Sequence, residues 1–180
     1  MTPEGRKIVS QPELYLEKFL SEVPWERRPD APRYESWQLP PHAPLRPYTY
    51  GKGRGVRTYV PVHYVPVVEN VASMVQRLLG VRFDGCFLNR YDNARDWLGW
   101  HADDSPEMDN TCPIPIVSFG ATREIQFRRK DRSGEVMKVD LTSGSMLVMP
   151  PGFQLTHEHR IPKSGAVVGQ RVSLTFRGLV

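Results

Sequence analysis

From Leu98 to Asp104 the chain reads LGWHADD, which places His101 and Asp103 two residues apart. Residues i and i+2 of a β-strand point to the same face, so both side chains can reach one metal ion. Two histidines and one carboxylate form the facial triad that binds non-haem Fe(II) and leaves coordination positions open. A third ligand must then come from a distant strand, and His159 is the candidate. The His-x-Asp pair alone is more typical of a surface turn with a capping aspartate.

The last β-prone segment, from Gln170 to Arg177, alternates between two kinds of side chain. One face carries the polar residues Arg171, Ser173, Thr175 and Arg177, and the other carries Val172, Leu174 and Phe176. Arginine binds carboxylates through two parallel hydrogen bonds and stays charged, so two arginines on one strand suit a small dicarboxylate. A solvent-exposed sheet edge is the more common explanation of a basic strand, and this segment alone favours it.

Short β-prone segments separated by turn residues fill the second half of the chain. They cover residues 83–91, 114–120, 124–128, 136–141, 145–149 and 170–177. This spacing indicates a β-sandwich or jelly roll. Pro115 favours an edge or irregular position for its own strand, because proline cannot donate to the hydrogen-bond ladder.

Two helices are predicted in the first half. One opens with Ser10 as a capping residue and Pro12 in the first turn, and the other runs from Pro66 to a terminating Gly80. The expected fold is therefore mainly β with flanking helices. We expect one domain over residues 1–180, with residues 1–30 as a helical extension, because no repeat or linker indicates a second one.

The composition bounds the class of protein. With 180 residues and 39% apolar content, the chain can bury a real core. It has no apolar run near the roughly 18 residues that a membrane span needs, and Met1–Lys7 does not resemble a signal peptide. Two cysteines are too few for a disulfide framework, which favours the cytoplasm, or the nucleus in a eukaryote. The net charge of +4 is compatible with a polyanionic partner.

A glycine-rich stretch, GKGRG at residues 51–55, lies between the β-prone segments Tyr48–Tyr50 and Arg57–Val60. Its backbone could approach a phosphate, and the neighbouring aromatic rings offer stacking faces for bases. The alternative is an ordinary hairpin loop with solvated charges.

Taken together, five ordered blocks between about Pro32 and Arg177 resemble the AlkB family of Fe(II)- and 2-oxoglutarate-dependent dioxygenases, and most closely its nucleic-acid repair branch. The blocks read LNRY at 88–91, GWHADD at 99–104, VSFGATR at 117–123, HRIPK at 159–163 and RVSLTFR at 171–177. The resemblance implies a double-stranded β-helix, which is a jelly roll. That fold agrees with the strand pattern.

The resemblance also implies a role for each matching residue. The iron ligands and catalytic centre would be His101, Asp103 and His159. His157, two residues earlier, is a rival third ligand, and His159 is preferred because the family's histidine precedes the Ile-Pro element. For 2-oxoglutarate, Arg171 would bind the distal carboxylate and Arg177 the carboxylate end near the metal. The other co-substrate contacts would be Asn89, Tyr91 and Ser173, the last of which stands where several family members carry Asn.

The activity implied is oxidative demethylation of N-alkylated bases in DNA or RNA, with O2 as the second co-substrate and succinate, CO2 and formaldehyde as products. The partner would be nucleic acid, single-stranded or with a flipped base. Candidate substrate contacts are Tyr50 and Tyr59 as an aromatic lid, Arg54 and Arg57 for phosphates, and Asp104 near the base. Ser105 stands where close repair members have Glu.

Two alternatives stay open at the level of sequence. The same chemistry could act on a protein or a small molecule, in which case Arg54 and Arg57 would not be needed. The jelly roll could also hold a metal such as zinc without oxygenase activity, in which case Arg171 would not be needed. The sequence indicates neither a membrane association nor an obligate protein partner.

Overall fold

The computed structural model describes residues 5–50, 56–166 and 168–180. In chain order its elements are β1 (Arg6–Lys7), α1 (Pro12–Glu22), β2 (Tyr34–Leu39), β3 (Tyr48–Tyr50), β4 (Arg57–Tyr59), β5 (Val62–His63), α2 (Pro66–Leu79), β6 (Gly85–Tyr91), β7 (Leu98–His101), β8 (Ile114–Gly120), β9 (Arg123–Arg129), β10 (Met137–Leu141), β11 (Ser145–Met149), α3 (Phe153–Thr156), β12 (His157–Ile161) and β13 (Arg171–Arg177).

Two sheets form the sandwich. The large sheet has the strand order β1-β11-β8-β13-β6-β2-β5, and the small sheet has the order β10-β9-β12-β7. All pairings are antiparallel except that of β2 with β5. β3 and β4 form a separate hairpin. This arrangement agrees with the predicted mainly β fold with flanking helices, the jelly roll of the family resembled.

The helices α1 and α2 cover the outer face of the large sheet. Phe19 of α1 and the valine stripe of α2 pack in one core with the apolar face of β13, and this core includes Val67, Val71, Val172, Leu174 and Phe176. Phe19 contacts Phe119 of β8 with ring centroids 4.9 Å apart. α2 ends where predicted, at Gly80, which adopts a left-handed conformation with φ of 67°.

A second core lies between the two sheets. Its buried apolar residues include Trp37, Phe87, Ile116, Ile125, Leu141 and Ile161. The polar face of β13 points to this inter-sheet side, because its apolar face is already used by the helices. A charged strand face is therefore enclosed within the sandwich.

Several sequence-based predictions were wrong. β13 is central, between β8 and β6, so the exposed-edge explanation fails. β8 is also interior; Pro115 is tolerated because it lies beyond the residues of β8 that pair with β13. Ser10 does not cap α1, since the helix begins at Pro12 after Gln11. The sequence reading also missed the short elements β1, β5 and α3.

None of the helices within the described residues combines the length and the apolar character that crossing a membrane requires.

Candidate active site

The histidines and the aspartate predicted as metal ligands come together through strand register. β7 and β12 pair so that His101 lies directly opposite His159, and their ring centroids are 4.1 Å apart. β7 ends at His101, so Asp103 is placed by the following loop, where its backbone N–H donates to Gln154 Oε1 at 2.9 Å. One ligand atom from each of the three residues lies within 4.8 Å of the others.

The rival histidine is used differently. The ring of His157 stacks on Phe153 with centroids 4.2 Å apart and planes 5° apart. Its Nδ1 lies 2.8 Å from Thr156 Oγ1. In the part of the chain that the structure describes, the group able to hold a metal contains His159 and not His157.

The protonation state of the triad suits a cation. Burial lowers the pKa of His159 to about 3, and it also lowers the pKa of His101. Burial would raise the pKa of Asp103, but Arg177 and the two histidines outweigh it and lower that pKa. At neutral pH the group therefore consists of two neutral imidazoles and one carboxylate, which is the form that binds a metal.

The orientation of the three side chains also fits a metal. His101 Nδ1 lies 2.8 Å from the carbonyl oxygen of Gly99, a contact that orients the ring with Nε2 as the candidate ligand atom. Asp103 Oδ2 and His159 Nδ1 are buried without a hydrogen-bond partner among the described residues. Buried polar atoms are rarely left unsatisfied, so a carboxylate oxygen in this state fits a bound cation.

Three neighbouring strands build the wall opposite the triad. β6, β13 and β8 lie side by side, and Ser173 of β13 is opposite Asn89 of β6 and Ser118 of β8. Two residues along, Arg171 is opposite Tyr91. All the predicted metal and co-substrate residues line this inter-sheet cavity, which we call the inner cavity.

Arg171 is a buried cation with donors to spare. It is 1% exposed, and its Nη2 donates to Ser118 Oγ at 3.0 Å. Its guanidinium lies 5.1 Å from the ring centroid of Tyr91. Its Nε and Nη1 find no hydrogen-bond acceptor among the described residues. A buried guanidinium with free N–H groups matches a carboxylate, because the two groups can form parallel charge-assisted hydrogen bonds.

Arg177 directly contacts the carboxylate of Asp103, the candidate metal ligand. Its Nη2 donates to Asp103 Oδ1 at 2.8 Å, and its Nη1 donates to the Tyr48 hydroxyl at 2.7 Å. The contact shown is thus with a predicted iron ligand, and a contact of Arg177 with the co-substrate stays a prediction. Holding Oδ1 leaves Oδ2 of Asp103 available for a cation.

Sequence reasoning missed Tyr48 and Arg33, which line the inner cavity, and Ser118, which contacts the cavity residue Arg171. Ser118 orients Arg171, Tyr48 binds Arg177, and Arg33 donates from Nε to Asn89 Oδ1 at 2.5 Å. Because its oxygen is engaged by Arg33, the Asn89 amide is left with its N–H donors. Ser118 carries a signal visible in the sequence, because it is the polar residue in the otherwise apolar run from Ile114 to Phe119.

An outer cavity adjoins the inner one at His101. Its wall includes Trp100, Asp104, Ser105, Lys130 and Glu158. Lys130 Nζ lies 2.8 Å from Asp104 Oδ2. Asp104, the predicted base contact, therefore faces a cavity next to the candidate metal centre, and its carboxylate is paired with Lys130.

The substrate contacts predicted around the β3–β4 hairpin are not brought together as a lid and a phosphate site by the described residues. Tyr59 is 3% exposed and packs edge-on against Phe87 with centroids 4.8 Å apart, so it is a core residue and not a lid. Arg57 Nη1 lies 3.6 Å from Glu35 Oε2, so it is already near a carboxylate. Tyr50 lies opposite Arg57 in the β3–β4 pairing. Arg54 lies outside the described residues.

Comparison with known proteins places these features in context. Residues 11–177 match the family model of the 2OG-Fe(II) oxygenase superfamily. The chain is similar to human alpha-ketoglutarate-dependent dioxygenase alkB homolog 3, with 30% identity over 94% of this chain and 62% of that protein. It is also 36% identical to the mouse DNA oxidative demethylase ALKBH2, over 76% of this chain and 62% of the relative.

A plant relative shows the same kinship over a shorter region. The Arabidopsis thaliana DNA oxidative demethylase ALKBH2 is 32% identical over 63% of this chain and 43% of its own length. The chain thus spans about three fifths or less of the length of these curated relatives.

Proposed function

The chain belongs to the 2OG-Fe(II) oxygenase superfamily, within it to the AlkB family, and we propose that it removes methyl groups oxidatively from N-alkylated bases of DNA or RNA. It is an Fe(II)- and 2-oxoglutarate-dependent dioxygenase with O2 as its second co-substrate. The printed names of the relatives include DNA oxidative demethylase, which supports a nucleic-acid substrate for this chain.

One observation carries the proposal. The triad of His101, Asp103 and His159 shares a single buried cavity with Arg171, whose Nε and Nη1 lack acceptors among the described residues. A metal site alone would not need a buried guanidinium, which is costly unless an anion meets it. The combination suits an enzyme that binds a metal and a dicarboxylic acid side by side.

In the proposed mechanism, each wall of the inner cavity has its own task. His101, Asp103 and His159 would hold Fe(II), which would supply the oxidising chemistry from O2 as 2-oxoglutarate is converted to succinate and CO2. Arg171 binds the distal carboxylate of the co-substrate, and Ser118 fixes the guanidinium for this contact. Arg177 holds Asp103 in place.

Asn89 and Tyr91 complete the co-substrate wall. Arg33 occupies the Asn89 oxygen, so the amide N–H groups are presented to an acceptor in the cavity. The guanidinium groups of Arg171 and Arg123 both lie near the ring of Tyr91, with Cζ atoms 5.1 and 5.3 Å from its centroid. These contacts hold the co-substrate wall before any ligand arrives.

The outer cavity would take the alkylated base. It meets the inner cavity at His101, so a methyl group placed there lies next to the metal. Asp104 would accept a hydrogen bond from the base. A base in a duplex must be flipped out to reach such a pocket, and single strands avoid that cost. We therefore propose a single-stranded or flipped-base substrate, whose hydroxylated methyl group leaves as formaldehyde.

Two further predictions belong to this proposal. The first is a single domain over residues 1–180. It is supported by α1, which belongs to the predicted extension of residues 1–30 and yet packs on β8 of the large sheet. A cytoplasmic or nuclear location is supported by Cys86 and Cys112, which are both free thiols.

The test combines two products. The protein is loaded anaerobically with Fe(II) and 2-oxoglutarate and then exposed to O2 with an N-methylated single-stranded oligonucleotide, and succinate and formaldehyde are measured together. We expect both products, each dependent on the oligonucleotide. Succinate without formaldehyde would support the dioxygenase and contradict the substrate. Neither product, with 2-oxoglutarate binding unchanged by Arg171→Ala, would contradict the assignment of the cavity.

A further inference from the structure

Trp97 is an aromatic side chain that the catalytic site does not use. It directly precedes β7, four residues before His101, and it is 39% exposed. Its ring lies against Gly99: a Cβ atom at that position would come within 3.1 Å of Trp97 Cζ3. Any larger residue at position 99 would press on the ring. The strand backbone thus supports a tryptophan that still faces solvent.

The backbone on both sides of this ring is held in place. The Trp97 N–H donates to the Pro32 carbonyl oxygen at 3.2 Å. The preceding Asp96 carboxylate is 3% exposed; it accepts a hydrogen bond from the Asp92 N–H at 2.7 Å and pairs with Arg27 at 3.1 Å. An exposed loop tryptophan usually keeps its freedom, whereas this one is preorganised.

A buried arginine ties the tryptophan to a basic segment. Arg123 Nη2 donates to the carbonyl oxygens of Asp96 at 2.8 Å and of Pro162 at 2.6 Å. The residue after Pro162 is Lys163, whose Nζ lies 6.0 Å from the Trp97 ring centroid. The ring and the ammonium group are therefore kept side by side by a contact beneath the surface.

A groove leads from Trp97 toward Trp100 and the outer cavity. Trp97, Trp100, Arg160 and Lys163 line it, and Trp100 also lines the outer cavity. The Arg160 guanidinium lies 4.6 Å from the Trp100 ring centroid, and its Nε donates to Gln126. Neither Arg160 nor Lys163 pairs with a carboxylate within the described ranges. Aromatic faces and uncompensated cations thus alternate along the groove.

We propose that this groove, with Trp97 as a stacking platform, binds a nucleotide of a single-stranded nucleic acid outside the catalytic cavity. Such proteins combine aromatic rings that stack on bases with cations that follow the backbone. Here Trp97 stacks on the base, while Lys163 and Arg160 meet the phosphates. A second groove beside Trp97 contains Arg33 and Arg57 together with Asp30 and Glu35, and both arginines lie near Glu35, so its charges balance and it attracts a polyanion less. The inference rests on the proposed function, because it extends the path of the same substrate.

Binding is tested apart from catalysis. We measure the affinity of the iron-loaded protein for a fluorescent, unmethylated single-stranded oligonucleotide by anisotropy. Trp97→Ala should weaken binding about tenfold, and Trp97→Phe should restore most of it, because a phenyl ring still stacks. Leu78→Ala, at an exposed apolar residue of α2, is the matched control and should leave the affinity unchanged. Lys163→Gln should reduce the slope of log affinity against log salt by about 0.7.

The outcomes separate this inference from the proposed function. Unchanged affinity in Trp97→Ala, or no binding by the unaltered protein, overturns the platform even where demethylation occurs. Trp97-dependent binding without demethylation keeps the platform and rejects the proposed activity. Loss of 2-oxoglutarate binding in Trp97→Ala would mean that this variant has lost its fold, and the other two variants then decide. Near-normal affinity of Trp97→Phe together with a reduced salt slope of Lys163→Gln supports the platform. An unchanged salt slope of Lys163→Gln overturns it.

Discussion

The two faces of β13 are equally buried but differ in what their side chains lack. Val172, Leu174 and Phe176 are fully enclosed by the helices and the neighbouring strands. Arg171, on the opposite face, is 1% exposed and yet keeps donors without acceptors among the described residues. Burial alone therefore does not separate a structural face from a functional one. An unsatisfied polar group in a buried position does, because proteins rarely leave such groups without a ligand.

The strongest way to break this comparison is to remove the unsatisfied group. Arg171→Ala should weaken 2-oxoglutarate binding by about thirtyfold or more, since losing one partner of a buried charge pair costs about 2–5 kcal/mol. The affinity is measured anaerobically with Fe(II) present. Arg82→Ala, an exposed arginine that follows α2, is the control and should bind normally. Equal affinities in the two variants would contradict the role of Arg171.

The complementary change is made on the helix-facing side. Leu174→Ala should lower the free energy of unfolding by about 3 kcal/mol, because it leaves a cavity in a fully buried core. The 2-oxoglutarate affinity of the folded variant should stay within about twofold of the original. Denaturant unfolding and the binding assay measure the two quantities. A large loss of affinity with little loss of stability would mean that the two faces are not separate.

Ligands should stabilise the protein through the cavity face. Fe(II) and 2-oxoglutarate, each added anaerobically at about 100 times its Kd, should raise the unfolding free energy by about 2.7 kcal/mol per ligand, and removing the metal with a chelator should reverse the metal step. Thermal unfolding measures both steps. Arg171→Ala should keep the metal step and lose the co-substrate step at the same concentration. Loss of both steps would show that the arginine supports the metal site itself.

The smallest expected effect sharpens the comparison. Ser118→Ala removes the hydroxyl that accepts from Arg171 Nη2, and it should weaken 2-oxoglutarate binding about fivefold, or about 1 kcal/mol. Ser73→Ala, at an exposed serine of α2, provides the control. An affinity equal to that of the control would mean that Arg171 is oriented without Ser118.

The sequence predicted residues that act through local pattern. The period of two in β13 and the apolar stripe of α2 are such patterns, and both faces of β13 were sorted correctly. Which elements cover each face cannot be read from the sequence of β13 itself. That strand alone therefore favoured a solvent-exposed edge for the arginines. Tyr59 illustrates the same limit, because an aromatic residue that packs on Phe87 looks in sequence like one that stacks on a base.

The candidate site needed more than local pattern. His101 and His159 meet because β12 pairs with β7 in one register, and no pattern of either strand states that pairing. Tyr48 and Arg33 line the inner cavity and Ser118 contacts Arg171 there, each from a separate segment, so the three lack a common spacing. Only the five ordered blocks of the family resemblance, taken together, linked the distant ligands before the structure did.

β7 has consequences for local unfolding that its short length conceals. Among the described strands it is the edge strand of the small sheet and pairs with β12 alone, with an irregular register between His159 and Ile161. Edge strands with few pairings are the segments that open most readily while the rest of a protein stays folded. Opening of this strand would separate His101 from His159, displace Leu98 from the inner cavity and move Trp97. A metal ion bound by residues of both strands would therefore stabilise the pairing of β7 with β12. Metal binding and local unfolding of β7 would then be coupled in one equilibrium.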